Sequence, residues 1–177
     1  MVSHAGEFEN ISPREDEMPE LETLRRDKKN ACPIEVKATL ADKAGKVNLL
    51  LQVYISRARM EAFSLIADSS YISQNASRIC RALYELCLRR GWPSLAETLL
   101  TLSKTVDLRI WPHQHTLRQF ETTLSPDTLY RLETRDATVE RLWDMSPSEI
   151  GSLPRLNTDV GKKVIGCLEA LPHLAME

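Results

Sequence analysis

Apolar residues recur at helical spacing along most of this chain, and one stretch keeps that spacing longest. Between Asp68 and Arg90, Ile72, Ala76, Ile79, Leu83 and Leu86 stand at i, i+4, i+7, i+11 and i+14. That pattern predicts one helix of about 20 residues with an apolar stripe, ended by Gly91 before Trp92 and Pro93. A second stripe, Tyr71, Asn75, Arg78 and Ala82, runs beside the first, and Arg81, Glu85 and Arg89 continue a polar face. A core helix needs only the first stripe. The second is either solvated surface or a working face, and periodicity alone favours the solvated reading, with Arg81 and Glu85 as an i, i+4 pair.

The same reasoning divides the rest of the chain. Residues 1–14 are irregular, with Phe8 and Ile11 as docking points. PREDEMPELETLRRDKK predicts a short helix, with Pro19 in the first turn, acids at its start and bases at its end, as the helix dipole favours. Residues 30–45 form a connector that varies in order, with a few extended residues at Ile34–Val36. KVNLLLQVYIS (46–56) predicts a helix, a short strand being the alternative for so tight an apolar run. SRARMEAF is a polar break with some helical character. Pro93 opens a helix to about Arg109, with Leu95, Leu99, Leu102 and Val106 as its stripe, and must form a hairpin with the long helix. IWPHQHTLRQF is a loop anchored by Trp111 and Phe120. Ser125-Pro126, TVERLWDM and the capping box Ser146-Pro147-Ser148-Glu149 begin three short helices. Thr158 caps a last helix over Val160–Leu171. The last two helices, with Gly161-Lys162-Lys163 at the N-terminus of the second, resemble a helix-hairpin-helix unit. The fold class is all-α: a helical bundle around one long helix (1–122), then a helix-hairpin-helix region (123–177).

Composition narrows the functional classes. The chain has 177 residues, net charge -2 and 42% hydrophobic content, room for a core but without the global basicity of many nucleic-acid binders. No run of 18 apolar residues predicts a membrane span, and MVSHAGEFENIS lacks a secretory signal pattern. Cys32, Cys80, Cys87 and Cys167 show no CxxC. Cys80 and Cys87 would lie roughly 10 Å apart along one helix, too far to bridge, so buried reduced thiols are expected.

No P-loop is present, because Gly45-Lys46 is followed by Val47 and Gly161-Lys162 by Lys163. GxSxG and HExxH are also missing. The chain is therefore expected not to be an enzyme, and to hold no metal or cofactor. His113-Gln114-His115 reads as two exposed loop histidines, since nothing in the spacing supplies further ligands. Helix N-terminal amides beside Lys162 and Lys163 suit a phosphate. Asp159 carries the wrong charge for one, and a hairpin that only packs explains the pattern as well.

Longer stretches carry a resemblance. GKVNLLLQVYISRARMEAFSLIADSSYISQNASRICRALYELCLRRGW, WPHQHTLRQF and RLWDMSPSEIG, with the entry segment GEFENISPREDEMPELETL, resemble the Sec-63 homology domain of large DExH-box RNA helicases over Gly6–Pro172. MEAFSLIADSSYISQNASRI, LETL and WDMSPSEIG favour the branch formed by the helicase subunit of the activating signal cointegrator 1 complex. The resemblance implies a bundle, a helix-hairpin-helix and a β-sandwich. It also implies a long ratchet helix lying between two RecA-like domains and touching the single strand as ATP is hydrolysed. The matching segment is Ser70–Arg90, and the strand-facing positions fall on Asn75 and Arg78, both on the second stripe. Arg81, Lys162 and Lys163 are lesser candidates. Measured against that family, the chain is expected to be a partial copy without the first bundle helices, the β-sandwich or the helicase cores, its Met1 not a true start, exposing apolar surface. ATP and magnesium belong to the parent helicase. The expected partners are single-stranded RNA or DNA, RecA-like domains in cis and other subunits of a cointegrator-type complex, in the nucleus or cytoplasm. The competing reading is a protein-interaction scaffold that docks on those domains or subunits.

Overall fold

The computed structural model describes residues 2–153 and 157–172. Among the described residues there are eight α-helices, several short 3-10 turns and no strand, so the class is all-α. The chain forms two compact units, 1–111 and 112–177, a division that falls ahead of the 122/123 boundary drawn from sequence.

In the first unit, α1 spans Met18–Arg26, α2 Lys43–Ile55, α3 Phe63–Arg90 and α4 Pro93–Leu108. α2 is the innermost. Val47, Leu49, Leu50, Val53 and Ile55 are all 2% exposed or less, and a helix apolar on most sides belongs inside. The apolar run is thus a helix and not the alternative strand. The connector before it is pinned, contrary to the expectation of variable order. The Gln52 carboxamide accepts from the Ile34 N–H (2.9 Å) and donates to the Ile34 carbonyl (3.0 Å), while Ala31, Cys32, Val36 and Leu40 are buried.

α3 has 28 residues and starts at Phe63 instead of Asp68. The cause lies far away in sequence. The Glu20 carboxylate of α1 accepts from the N–H groups of Ala62 (3.0 Å), the N-cap whose amide the helix leaves without a partner, and of Glu61 just before it (2.7 Å). Its buried face runs through Leu65, Ser69, Ile72, Ala76, Cys80 and Cys87. Leu86, placed on the apolar stripe by its spacing, is 49% exposed. Ile72, Ile79 and Leu86 repeat every seven residues, and such a row lags about 20° per heptad on a straight helix, so it slides off the buried meridian. Gly91 ends the helix in the left-handed region (φ 69°), a conformation that other L residues rarely adopt.

Past α3, α4 folds back, with Cys87, Ala96 and Leu99 buried between the two. The ends of α2 and α4 exchange arginines. Arg109, left-handed at φ 55°, donates to the Tyr54 carbonyl (2.9 Å) and lies 4.4 Å from the Tyr54 ring centroid. Arg57, left-handed at φ 57°, donates to the Leu108 carbonyl (3.2 Å). Each helix thus has a C-terminal carbonyl closed by the residue just past the other.

The second unit holds α5 (Pro126–Thr134), α6 (Val139–Trp143), α7 (Pro147–Ser152) and α8 (Thr158–Glu169) around Leu117, Leu129, Leu132, Leu142, Ile150 and Val164. Ser125, Thr138 and Ser146 cap their helices as side-chain acceptors, and Ser146 and Glu149 form the predicted capping box. The cap of α8 is Asn157 and not Thr158. Its side-chain oxygen accepts from the Val160 N–H at 2.8 Å, so the cap lies one residue earlier and the helix starts at Thr158, two residues ahead of Val160. Glycines let α7 and α8 touch by backbone: a Cβ on Gly161 would overlap the Pro147 carbonyl. Part of the hairpin loop, residues 154–156, lies outside the described residues.

Candidate nucleic-acid interface

The two principal candidates on α3 form one hydrogen-bonded device. Asn75 donates through its side-chain amide to the Tyr71 carbonyl (2.8 Å), which fixes the amide's orientation on the helix. Its Oδ1 then accepts from the Arg78 guanidinium at 2.9 Å. Arg78 remains 68% exposed, so its other donors face water. A guanidinium held at one corner and open elsewhere has less side-chain freedom to lose when it takes up an anion.

Across from it stands the N-terminal segment. A Glu7 carboxylate oxygen lies 3.8 Å from the Arg78 guanidinium. The Tyr71 hydroxyl donates to the Glu7 carbonyl (3.2 Å), and the Tyr71 ring meets Phe8 edge to face, centroids 6.5 Å apart. Phe8 itself is buried. Tyr71 therefore anchors this segment to α3.

Arg81 and Lys162 have acidic neighbours of their own. Arg81 turns toward α4, 3.9 Å from Asp107. Lys162 and Lys163 are exposed on α8 in the second unit, and Lys162 lies 4.0 Å from Asp159. Of the α8 N-terminal amides, Val160 N–H is used by Asn157 Oδ1 and Gly161 N–H by the Asn157 carbonyl. Few remain for a phosphate.

His115 is half-buried and not an exposed loop residue. One ring nitrogen accepts from the Leu117 N–H (3.1 Å) and the other lies 2.6 Å from the Ala137 carbonyl, so that nitrogen carries the proton. Both positions are engaged, and the described residues contain no His/Cys/Asp/Glu group suited to a metal. Nearby, Glu133 receives a bidentate pair from Arg118 (2.6 and 2.8 Å) and the His115 N–H. Burial pushes Glu133 up, but those partners outweigh it and hold its pKa below the ordinary value.

Sequence reading missed a buried charge cluster. Lys46 on α2, fully buried, donates to Glu17 (2.6 Å), Asp68 of α3 (2.7 Å) and the Ser12 carbonyl (3.2 Å). Burial would raise the Glu17 pKa, yet the hydrogen bonds from Lys46 and the Arg14 N–H and the Lys46 charge help lower it overall. The available signal was a lysine beside the apolar run Val47–Val53, which demands a partner once that run is buried.

The chain belongs to the Sec63 Brl domain family, which matches residues 1–177. It is 50% identical over 157 residues, 89% of this chain, to the DExH-box ATP-dependent RNA helicase DExH14 of Arabidopsis thaliana. Over all 177 residues it is 45% identical to activating signal cointegrator 1 complex subunit 3 of Homo sapiens and 38% to the pre-mRNA-splicing factor brr2 of Schizosaccharomyces pombe. It spans only 7–8% of the length of these relatives.

Proposed function

We propose that this chain is a non-catalytic accessory module of an ATP-dependent helicase that grips single-stranded nucleic acid through Asn75 and Arg78. The observation that carries this reading is the Asn75-oriented guanidinium, exposed on the longest helix of a domain whose named relatives include RNA helicases. Arginine offers phosphate a planar, bidentate donor set, and phosphate contacts hold a strand without reading its sequence. Such a contact lets a strand of any sequence pass. Arg81, Lys162 and Lys163 are lesser candidates for phosphate contact. ATP and magnesium would be bound by other domains of the parent. Here Gly161-Lys162 sits inside α8 against the Pro147 backbone and forms no phosphate-cradling loop. RecA-like domains in cis and cointegrator-type subunits are the partners this reading expects, in the nucleus or cytoplasm.

A fluorescence titration with single-stranded RNA tests it. Binding should fall steeply with salt. Arg78→Ala should weaken it about three- to tenfold and flatten the log–log salt slope by about 0.7, while the exposed control Glu97→Ala should not. Salt-insensitive binding, or an unchanged affinity in Arg78→Ala, would remove the strand contact. The scaffold reading has its own support in exposed apolar side chains: Phe63 (83%), Leu88 (54%) and Trp92 (51%). It predicts association with protein partners that survives Arg78→Ala and weakens with Trp92→Ala.

A further inference from the structure

We propose that Glu7 is a built-in competitor for the strand, a carboxylate that occupies Arg78 between phosphate contacts and thereby sets how long a phosphate stays. This rests on the strand-contact reading above. Three observations converge on it. The Glu7 carboxylate pairs with the Arg78 guanidinium at 3.8 Å, from a position far away in sequence. The carboxylate is presented from a fixed place. Phe8 and Ile11 are buried, the Glu7 carbonyl takes the Tyr71 hydroxyl, and the Ser12 carbonyl takes the buried Lys46 ammonium. The pair also remains wet, Glu7 being 43% and Arg78 68% exposed, so a phosphate can reach the guanidinium from solvent.

The placement has a physical consequence. A carboxylate and a phosphate oxygen compete for the same guanidinium donors. An exposed ion pair is weak and exchanges readily, so Glu7 lowers affinity modestly and blocks nothing. A strand that must move along a protein needs contacts that are remade elsewhere when broken. Glu7 supplies the guanidinium with an alternative partner at the moment of release.

The test is a double-mutant cycle on the full chain, read by RNA affinity and by dissociation rate in stopped flow. Glu7→Gln keeps the side-chain size and removes the charge. It should tighten binding about two- to fivefold and slow dissociation by a similar factor. Glu9→Gln removes the same charge from an exposed position in the same segment, and should change little. In an Arg78→Ala background the effect of Glu7→Gln should vanish. Equal effects of Glu7→Gln and Glu9→Gln, or a gain that persists without Arg78, would reduce Glu7 to general field and overturn the proposal. So would no effect of Glu7→Gln in a chain that Arg78→Ala does weaken, an outcome that leaves the strand contact standing. An unchanged affinity in Arg78→Ala itself would overturn both. Circular dichroism melts of each variant exclude unfolding as the cause.

Discussion

Two cations of the first unit meet carboxylates from the same N-terminal stretch, and they do opposite work. Lys46 is fully buried between Glu17 and Asp68, at 2.6 and 2.7 Å. Arg78 faces Glu7 at 3.8 Å with most of its side chain in water. Out of water, a charge tolerates no loss of its partner, because the survivor cannot be rehydrated. In water the partner is optional. The chemical pairing is nearly the same, and burial alone decides whether it is a fastening or an exchangeable contact.

The sharpest way to break this contrast is Lys46→Met. It leaves the Glu17 carboxylate, 1% exposed, with only the Arg14 backbone N–H (3.2 Å) and the Arg14 guanidinium at 3.6 Å, and should cost about 3–5 kcal/mol in urea unfolding. Adding Glu17→Leu should recover part of the loss, since Asp68 keeps access to water. A cost below about 1 kcal/mol for Lys46→Met would mean the cluster is no fastening.

Acid is the next probe. The folded pKa of Glu17 is depressed, so its contribution is fully present above the unfolded glutamate value, about 4.3, and is lost as pH falls through the folded one. Glu133 is depressed as well and acts with the same sign in the second unit. Melting temperature should be level from neutral pH down to about 5 and then drop. Lys46→Met should shrink the Glu17 share of that drop, and Arg118→Ala the Glu133 share.

Smaller still, Ser146→Ala removes the hydroxyl that accepts from the Glu149 N–H, one half of a capping box, and should cost about 1 kcal/mol in thermal unfolding. Arg78→Ala should shift stability by less than about 0.5 kcal/mol while lowering RNA affinity. That dissociation of binding from folding is what the contrast with Lys46 requires. A large loss of stability in Arg78→Ala would erase it.

How much of this was legible beforehand depends on the range of the interaction. Helix content, the Gly91 stop, the Pro93 start and the Ser146 box follow from residues within one turn of each other. Periodicity fails where it must choose among neighbouring meridians, as with Leu86, or between adjacent polar residues, as with Asn157 and Thr158. Long-range pairs left no trace in spacing. Glu20 reaches the start of α3, Lys46 reaches Glu17, and Glu7 reaches Arg78, each across stretches that only the fold brings together. Asn75 and Arg78 were picked out by resemblance. Their mutual hydrogen bond, and the acidic neighbour that faces them, came from the three-dimensional arrangement.

The exchanged arginines at the ends of α2 and α4 have a mechanical reading. Arg109 grips Tyr54 and Arg57 grips Leu108, each from a left-handed residue that fixes its direction of approach. A helix can slide along its neighbour only if both grips open together, because either one alone holds the register. The two form a clasp that ties the end of α2 to the end of α4 at two points.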